Sequence, residues 1–172
     1  MPVRRSIRFP RRWRIAARSS PGPSPTQRRS APILPPFSSV VIPPAVIAAA
    51  MTIAFRDGPL QLRGQLLLYP CVDVDFQRPS YISEAQAPYL KAAEMVWFWN
   101  QYCPDAQQRE NPLAVPMRYE NLSGLPSAFV VVAEHDPLRD DGHAYAERLK
   151  TAGVPVTFRP GLGLIHGFVR AR

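Results

Sequence analysis

The feature that most constrains this chain is an apolar run closed abruptly by charge: Ala128-Phe129-Val130-Val131-Val132-Ala133, then Glu134-His135-Asp136-Pro137-Leu138-Arg139-Asp140-Asp141-Gly142. A valine-rich run without polar alternation reads as a parallel strand buried on both faces. A parallel strand reaches its neighbour only through a crossover, usually a helix. The residues after Asp136 supply one. Asp140 or Asp141 is expected to cap that helix, because carboxylates are favoured at its positive end. It should run to about Ala152 and stop at Gly153, glycine being the common left-handed terminator. Val154 to Phe158 then reads as the next strand. Strand, helix, strand is the repeating unit of an α/β fold with a parallel sheet.

The upstream body fits the same plan. Val46 to Phe55 is apolar, rich in helix formers and free of breakers, and Asp57-Gly58-Pro59 should end it. Gln65-Leu66-Leu67-Leu68-Tyr69, closed by Pro70, reads as a strand. Cys71 to Pro88 is a long polar connection, and Tyr89 to Tyr102 a helix whose buried face is expected to be Leu90, Ala93, Val96 and Trp97. Trp97-Phe98-Trp99 places three rings at consecutive positions. They cannot share one face, so one surrounding is the core and the other a second packing layer or a pocket wall. Asp136 falls just past one predicted strand. His166, thirty positions later in Leu164-Ile165-His166-Gly167-Phe168, falls past another short apolar segment. An Asp and a His at successive strand ends are two members of a hydrolytic triad in the chain order Ser, Asp, His. His135 and His143 read as loop and exposed-helix residues.

Charge divides the chain. The first 50 residues carry nine Arg and no Asp or Glu, so the whole basic excess of this +8 chain sits there; the remainder is close to neutral. Ten of the 21 prolines are there too, and those at positions 2, 10, 21, 23 and 25 would break the amphipathic helix of a transit peptide. Few aromatics interleave with the arginines, which disfavours a nucleic-acid-binding arm. The head, residues 1–45, is therefore expected to be a disordered basic segment, and 46–172 the folded domain. Cys71 and Cys103 are too few and too far apart for a zinc motif or a disulfide framework, and are expected to be reduced and structural. No apolar run approaches ~20 residues, so no membrane span is expected.

Four stretches together resemble the hormone-sensitive-lipase-like branch of the α/β hydrolases, a family of esterases and lipases. They are Gly64 to Pro70; Pro79-Ser80-Tyr81 with Met95 to Tyr102; the Asp136-Pro137-Leu138-Arg139-Asp140 segment; and Ile165-His166-Gly167-Phe168. The resemblance covers roughly Val46 to Phe168. It implies a partial α/β-hydrolase fold, C-terminal parallel strands with flanking helices, and a cytoplasmic carboxylic ester hydrolase acting on a small acyl ester. It implies no metal, no cofactor, no nucleic-acid partner and no membrane span, and leaves the oligomeric state open. Asp136 and His166 take the acid and base positions, with Asp136 orienting His166 and His166 moving the serine proton.

The nucleophile that this family carries on a Gly-x-Ser-x-Gly turn is not in the sequence, nor is the family's His-Gly-Gly-Gly oxyanion loop. Aligning Ala48-Ala49-Ala50 with the helix after the turn puts Ile42 at the serine position. The resemblance thus describes a truncated chain, inactive as written. The alternative is a non-catalytic relative that binds a ligand or partner. A third possibility is an Arg-rich head binding nucleic acid or a membrane surface beside an inert body. Codon arithmetic favours a frameshift. Take the third base of each codon with the first two of the next: Val40 to Val46 then permits GGT, GAT, TCC, GCC, GGC and GGT, which read Gly-Asp-Ser-Ala-Gly-Gly. Val3 to Ile15 in the same frame permits Ala-Pro-Glu-His-Pro-Phe-Pro-Ala-Ala-Leu-Ala-Asp, which resembles the family's upstream segment. Residues 1 to about 46 are therefore expected to be an out-of-frame reading of the same gene.

Overall fold

A computed structural model describes residues 45–170. The expectations placed on residues 1–44, disorder of the head and the position of Ile42, lie outside the described residues. Three strands, β1 (Gln65–Leu68), β2 (Ala128–His135) and β3 (Val156–Ile165), form a parallel sheet in the order β1-β2-β3. Four α-helices accompany them: α1 (Ala45–Phe55), α2 (Pro79–Ser83), α3 (Ala92–Tyr102) and α4 (Arg139–Thr151). Helix α4 is the crossover from β2 to β3, as the sequence required. Gly153 follows it with φ 78 and ends it in the left-handed conformation.

One core lies between the sheet and the helices α1 and α4. Leu67 and Val130 of the sheet meet Ala49 and Ile53 of α1 and Tyr145 and Leu149 of α4, all buried. A second cluster gathers α3 and its neighbours through Leu90, Met95, Trp99, Cys71, Cys103 and Leu138. Both cysteines are buried and unpaired, as expected. Gly142 sets the closeness of α4 to the sheet: a Cβ there would lie 2.5 Å from Val132 Cγ1 and 3.1 Å from the Pro70 ring. Gly142→Ala gains about 1 kcal/mol of helix propensity. It forces an overlap with a buried strand residue and a rigid ring, and overpacking costs about 1–3 kcal/mol. Net destabilisation is expected, read as a lower urea midpoint at unchanged slope.

Several sequence expectations need correction. The β2 run is not buried on both faces: Ala128, Val130 and Val132 are buried, whereas Phe129 is 41% exposed. Helix α3 starts at Ala92, and its buried face is Met95 and Trp99, with Ala92 and Tyr102 packed beside them. Val96, Trp97 and Phe98 are exposed, and Ala93 with them. Apolar residue type misled the choice of face: Trp97 fits the period by hydrophobicity but not by direction. The Cys71–Pro88 connection contains α2, with Pro79 at its first turn. Neither Asp140 nor Asp141 caps α4; the cap residue is Leu138, and both acids lie in the first turn. Strand β3 spans Val156–Ile165, not Val154 to Phe158: it starts two residues later and runs on through Pro160 and Gly161.

Candidate active site

Strands β2 and β3 are parallel neighbours, so the residues that leave their C-terminal ends emerge side by side, where open α/β sheets hold their ligands. Asp136 follows β2 directly, and His166 follows β3 directly. Their side chains meet: His166 Nδ1 lies 2.7 Å from Asp136 Oδ2. The Asp136 side chain is fully buried and that of His166 is 18% exposed. Carboxylate oxygens only accept, so the proton in this bond belongs to Nδ1, and in the neutral ring Nε2 then keeps its lone pair. Asp136 Oδ1 accepts from the Leu138 backbone N–H at 2.9 Å, which fixes the carboxylate plane.

The acid loop is pinned from α2. Ser80 Oγ donates to the Pro137 carbonyl at 2.6 Å, and Ser80 N–H donates to Asp140 Oδ2 at 2.8 Å. The Asp140 N–H returns a bond to Ser80 Oγ at 3.2 Å. Sequence reading did not find Ser80; its position in Pro79-Ser80-Tyr81 was the available signal. Arg78 lies beside it, pairing with Asp73 and with the buried Asp141.

Two tyrosines flank the imidazole. The Tyr69 ring is 4.4 Å from that of His166, and the Tyr89 ring stacks over it at 6.2 Å and 20°. They are also the non-glycine residues with positive φ among those described, 39 for Tyr69 and 73 for Tyr89. Such strain concentrates where surrounding structure over-determines a functional geometry. Gly167 has φ 78, and a Cβ on it would lie 2.7 Å from the Tyr89 ring, so glycine is required there twice over. Burial pushes the Tyr69 hydroxyl up from its ordinary value, keeping it neutral beside the imidazole. Neither tyrosine was singled out from sequence as a site residue.

His135 sits at the end of β2, with its Nδ1 3.4 Å from Glu84 Oε2, and His143 is exposed on α4 against Phe158. Neither reaches the Asp136–His166 pair by a hydrogen bond. No group of three or more His, Cys, Asp or Glu side chains among the described residues could hold a metal ion. A groove of about 830 Å³, lined by Asp73, Glu110, Met117 and Arg118 among others, includes neither Asp136 nor His166. Among the described residues no helix is long and apolar enough to cross a membrane.

A parallel sheet with a hydrogen-bonded Asp–His pair at adjacent strand ends defines an α/β protein with a candidate acid–base site. Residues 45–170 match the family model described as the α/β hydrolase fold, and the chain belongs to that family. It is 40% identical over 127 residues to the carboxylesterase NlhH of Mycobacterium tuberculosis, covering 72% of this chain and 40% of that relative. To an arylesterase of Saccharolobus solfataricus it is 37% identical over 131 residues, covering 72% and 40%. It superposes on a thermostable esterase from Pseudomonas putida with a TM-score of 0.70 at 42% identity, covering 72% of this chain and 40% of that one. The chain spans about two fifths of the length of these relatives.

Proposed function

We propose that residues 46–172 are the C-terminal portion of a carboxylic ester hydrolase, an esterase of the hormone-sensitive-lipase-like branch acting on small acyl esters. The observation that carries this reading is the 2.7 Å bond between His166 Nδ1 and the buried Asp136. In the reaction, His166 Nε2 takes the proton of a serine hydroxyl as its oxygen attacks the acyl carbonyl. The imidazolium then gives that proton to the departing alcohol as the acyl C–O bond breaks. Water, activated by the same base, releases the acid. Asp136 holds the ring in the tautomer that leaves Nε2 free, and stabilises the imidazolium. The scheme uses no metal and no cofactor.

The serine is the missing partner. No Gly-x-Ser-x-Gly occurs in the sequence. We read residues 1 to about 46 as the same gene translated out of frame, with the serine encoded across Ile42 and Pro43. As written, the chain holds a base with nothing to activate and hydrolyses no ester. Its basic excess then belongs to misread GC-rich codons and calls for no nucleic-acid partner. Two buried, unpaired cysteines fit a reducing cytoplasm.

The test is the nucleotide sequence from Val40 to Ala48, followed by expression of the chain with its frame restored. The bases are expected to spell Gly-Asp-Ser-Ala-Gly-Gly. The restored protein is expected to hydrolyse a short-chain nitrophenyl ester, and the chain as written to match the buffer rate. Bases that do not spell the serine turn would sink the frame reading. The chain would then be a non-catalytic relative acting as a ligand- or partner-binding module.

A further inference from the structure

The geometry points to a positioning residue outside the scheme above: we infer that Glu134 sets the register of the strand that delivers His166. The β2–β3 ladder pairs Val132 with Pro160 and Ala133 with Gly161, and then resumes at His135 with Ile165. One residue of β2, Glu134, therefore stands opposite three of β3: Leu162, Gly163 and Leu164. A bulge of this kind breaks the ladder and leaves backbone donors without their strand partner. Here the Gly163 N–H donates to Glu134 Oε2 at 2.6 Å. The carboxylate takes a donor that the neighbouring backbone does not reach.

The local residues are chosen for this excursion. Gly161 enters it so close to β2 that a Cβ would lie 2.5 Å from the Val132 carbonyl oxygen. Gly163 turns it with φ 68, a conformation that glycine adopts without a Cβ penalty. Apolar packing does little to hold the tip: Leu162 is 76% exposed. The charge-assisted bond to Glu134 is what ties it down. Glu134 is itself anchored, its carbonyl accepting from Arg139 Nη1 at 3.1 Å, and Arg139 in turn pairs with Asp140.

Register decides the site because residues rise about 3.3 Å each along a parallel strand and alternate faces. A slip of one residue turns the imidazole away from Asp136. Two residues stored in the bulge bring Ile165 back opposite His135, and so His166 beside Asp136. Glu134 touches no reacting atom; it acts through Gly163 on where His166 stands. Its kinetic consequence rests on the ester-hydrolase reading, but its structural consequence does not.

The structural test uses the full chain. The Gly163 amide is expected to be protected from hydrogen exchange, and exchange at the rate of an open amide overturns the inference without any substitution. Glu134→Gln keeps an oxygen acceptor; Glu134→Met has the same length and none. By proton NMR the downfield His166 Nδ1–H resonance should persist in the chain and in Glu134→Gln. It should be lost to exchange with water in Glu134→Met, while core signals from Tyr145 and Leu149 stay in place. An intact resonance in the Met variant overturns the inference. Should that variant unfold, the Gly163 exchange measurement decides alone. In the frame-restored chain, Glu134→Met is expected to lower kcat about 10²-fold with KM unchanged, the effect of misplacing a catalytic group by about 1 Å. Glu134→Gln should recover most of it. Unchanged kcat in the Met variant counts against Glu134; activity indifferent to His166→Ala counts instead against the ester-hydrolase reading.

Discussion

In the frame-restored chain, Asp136→Asn is expected to lower kcat for a short-chain nitrophenyl ester by about 10⁴-fold, and His166→Ala by about 10⁶-fold. The size of the first effect comes from a tautomer. Asp136 Oδ1 accepts from the Leu138 N–H at 2.9 Å, while Oδ2 accepts from His166 Nδ1 at 2.7 Å. An asparagine has one oxygen, and the Leu138 donor claims it. The amide NH₂ must then face the imidazole and donate to Nδ1. The ring proton moves to Nε2, which can no longer take a proton from serine. Geometry and KM should hardly change, because both hydrogen bonds survive with one reversed. A steady-state assay checks this: Asn and Ala variants within tenfold of the parent would remove Asp136 and His166 from the reaction. Asp136→Ala removes the charge without placing an N–H donor against Nδ1, so its difference from Asp136→Asn isolates the tautomer effect.

That Asp136 and His166 come together was legible in the sequence because each follows an apolar segment read as the end of a strand. The α/β plan was legible for the same reason: β2, α4 and Gly153 announce themselves by run length, polarity change and a left-handed stop. What escaped was decided by direction, not residue type. Trp97 and Trp99 are chemically alike, yet only Trp99 points inward. The strand expected over Val154 to Phe158 runs on through Pro160, Gly161 and Gly163 as a bulged strand whose donor is met by a side chain 29 positions away. Ser80 bonds Pro137 across 57 positions. Contacts of that separation have no local sequence signature, and Tyr69 and Tyr89 reach His166 from strained backbone that local propensity argues against.

Removal of the Arg78 side chain is expected to cost the described domain a large share of its stability. Arg78→Met should cost about 3–5 kcal/mol at neutral pH, the usual result of leaving a buried charge without its partner. Asp141 is fully buried, and Arg78 Nε approaches its Oδ1 at 3.1 Å. That approach is off the N–H direction, so charge rather than a directed hydrogen bond joins the two side chains. Burial pushes the Asp141 carboxyl well above its ordinary value, with Arg78 opposing the shift. A carboxyl raised in the folded state contributes fully below its unfolded pKa, and that contribution is lost as pH rises through the folded value. Without Arg78 the largest influence opposing that shift is gone. The deficit of Arg78→Met should therefore be largest at neutral pH and shrink on mild acidification, as Asp141 takes up its proton. Adding Asp141→Asn to Arg78→Met should recover most of the lost stability at neutral pH, since the buried group is then neutral throughout. Urea titrations of the three proteins at neutral and mildly acidic pH measure this. A deficit that the second substitution leaves untouched would assign the cost to Asp73, the other partner of Arg78. The pair also bears on the site, because it joins the first turn of α4 to the segment before α2, the two elements that hold the Asp136 loop between them through Ser80.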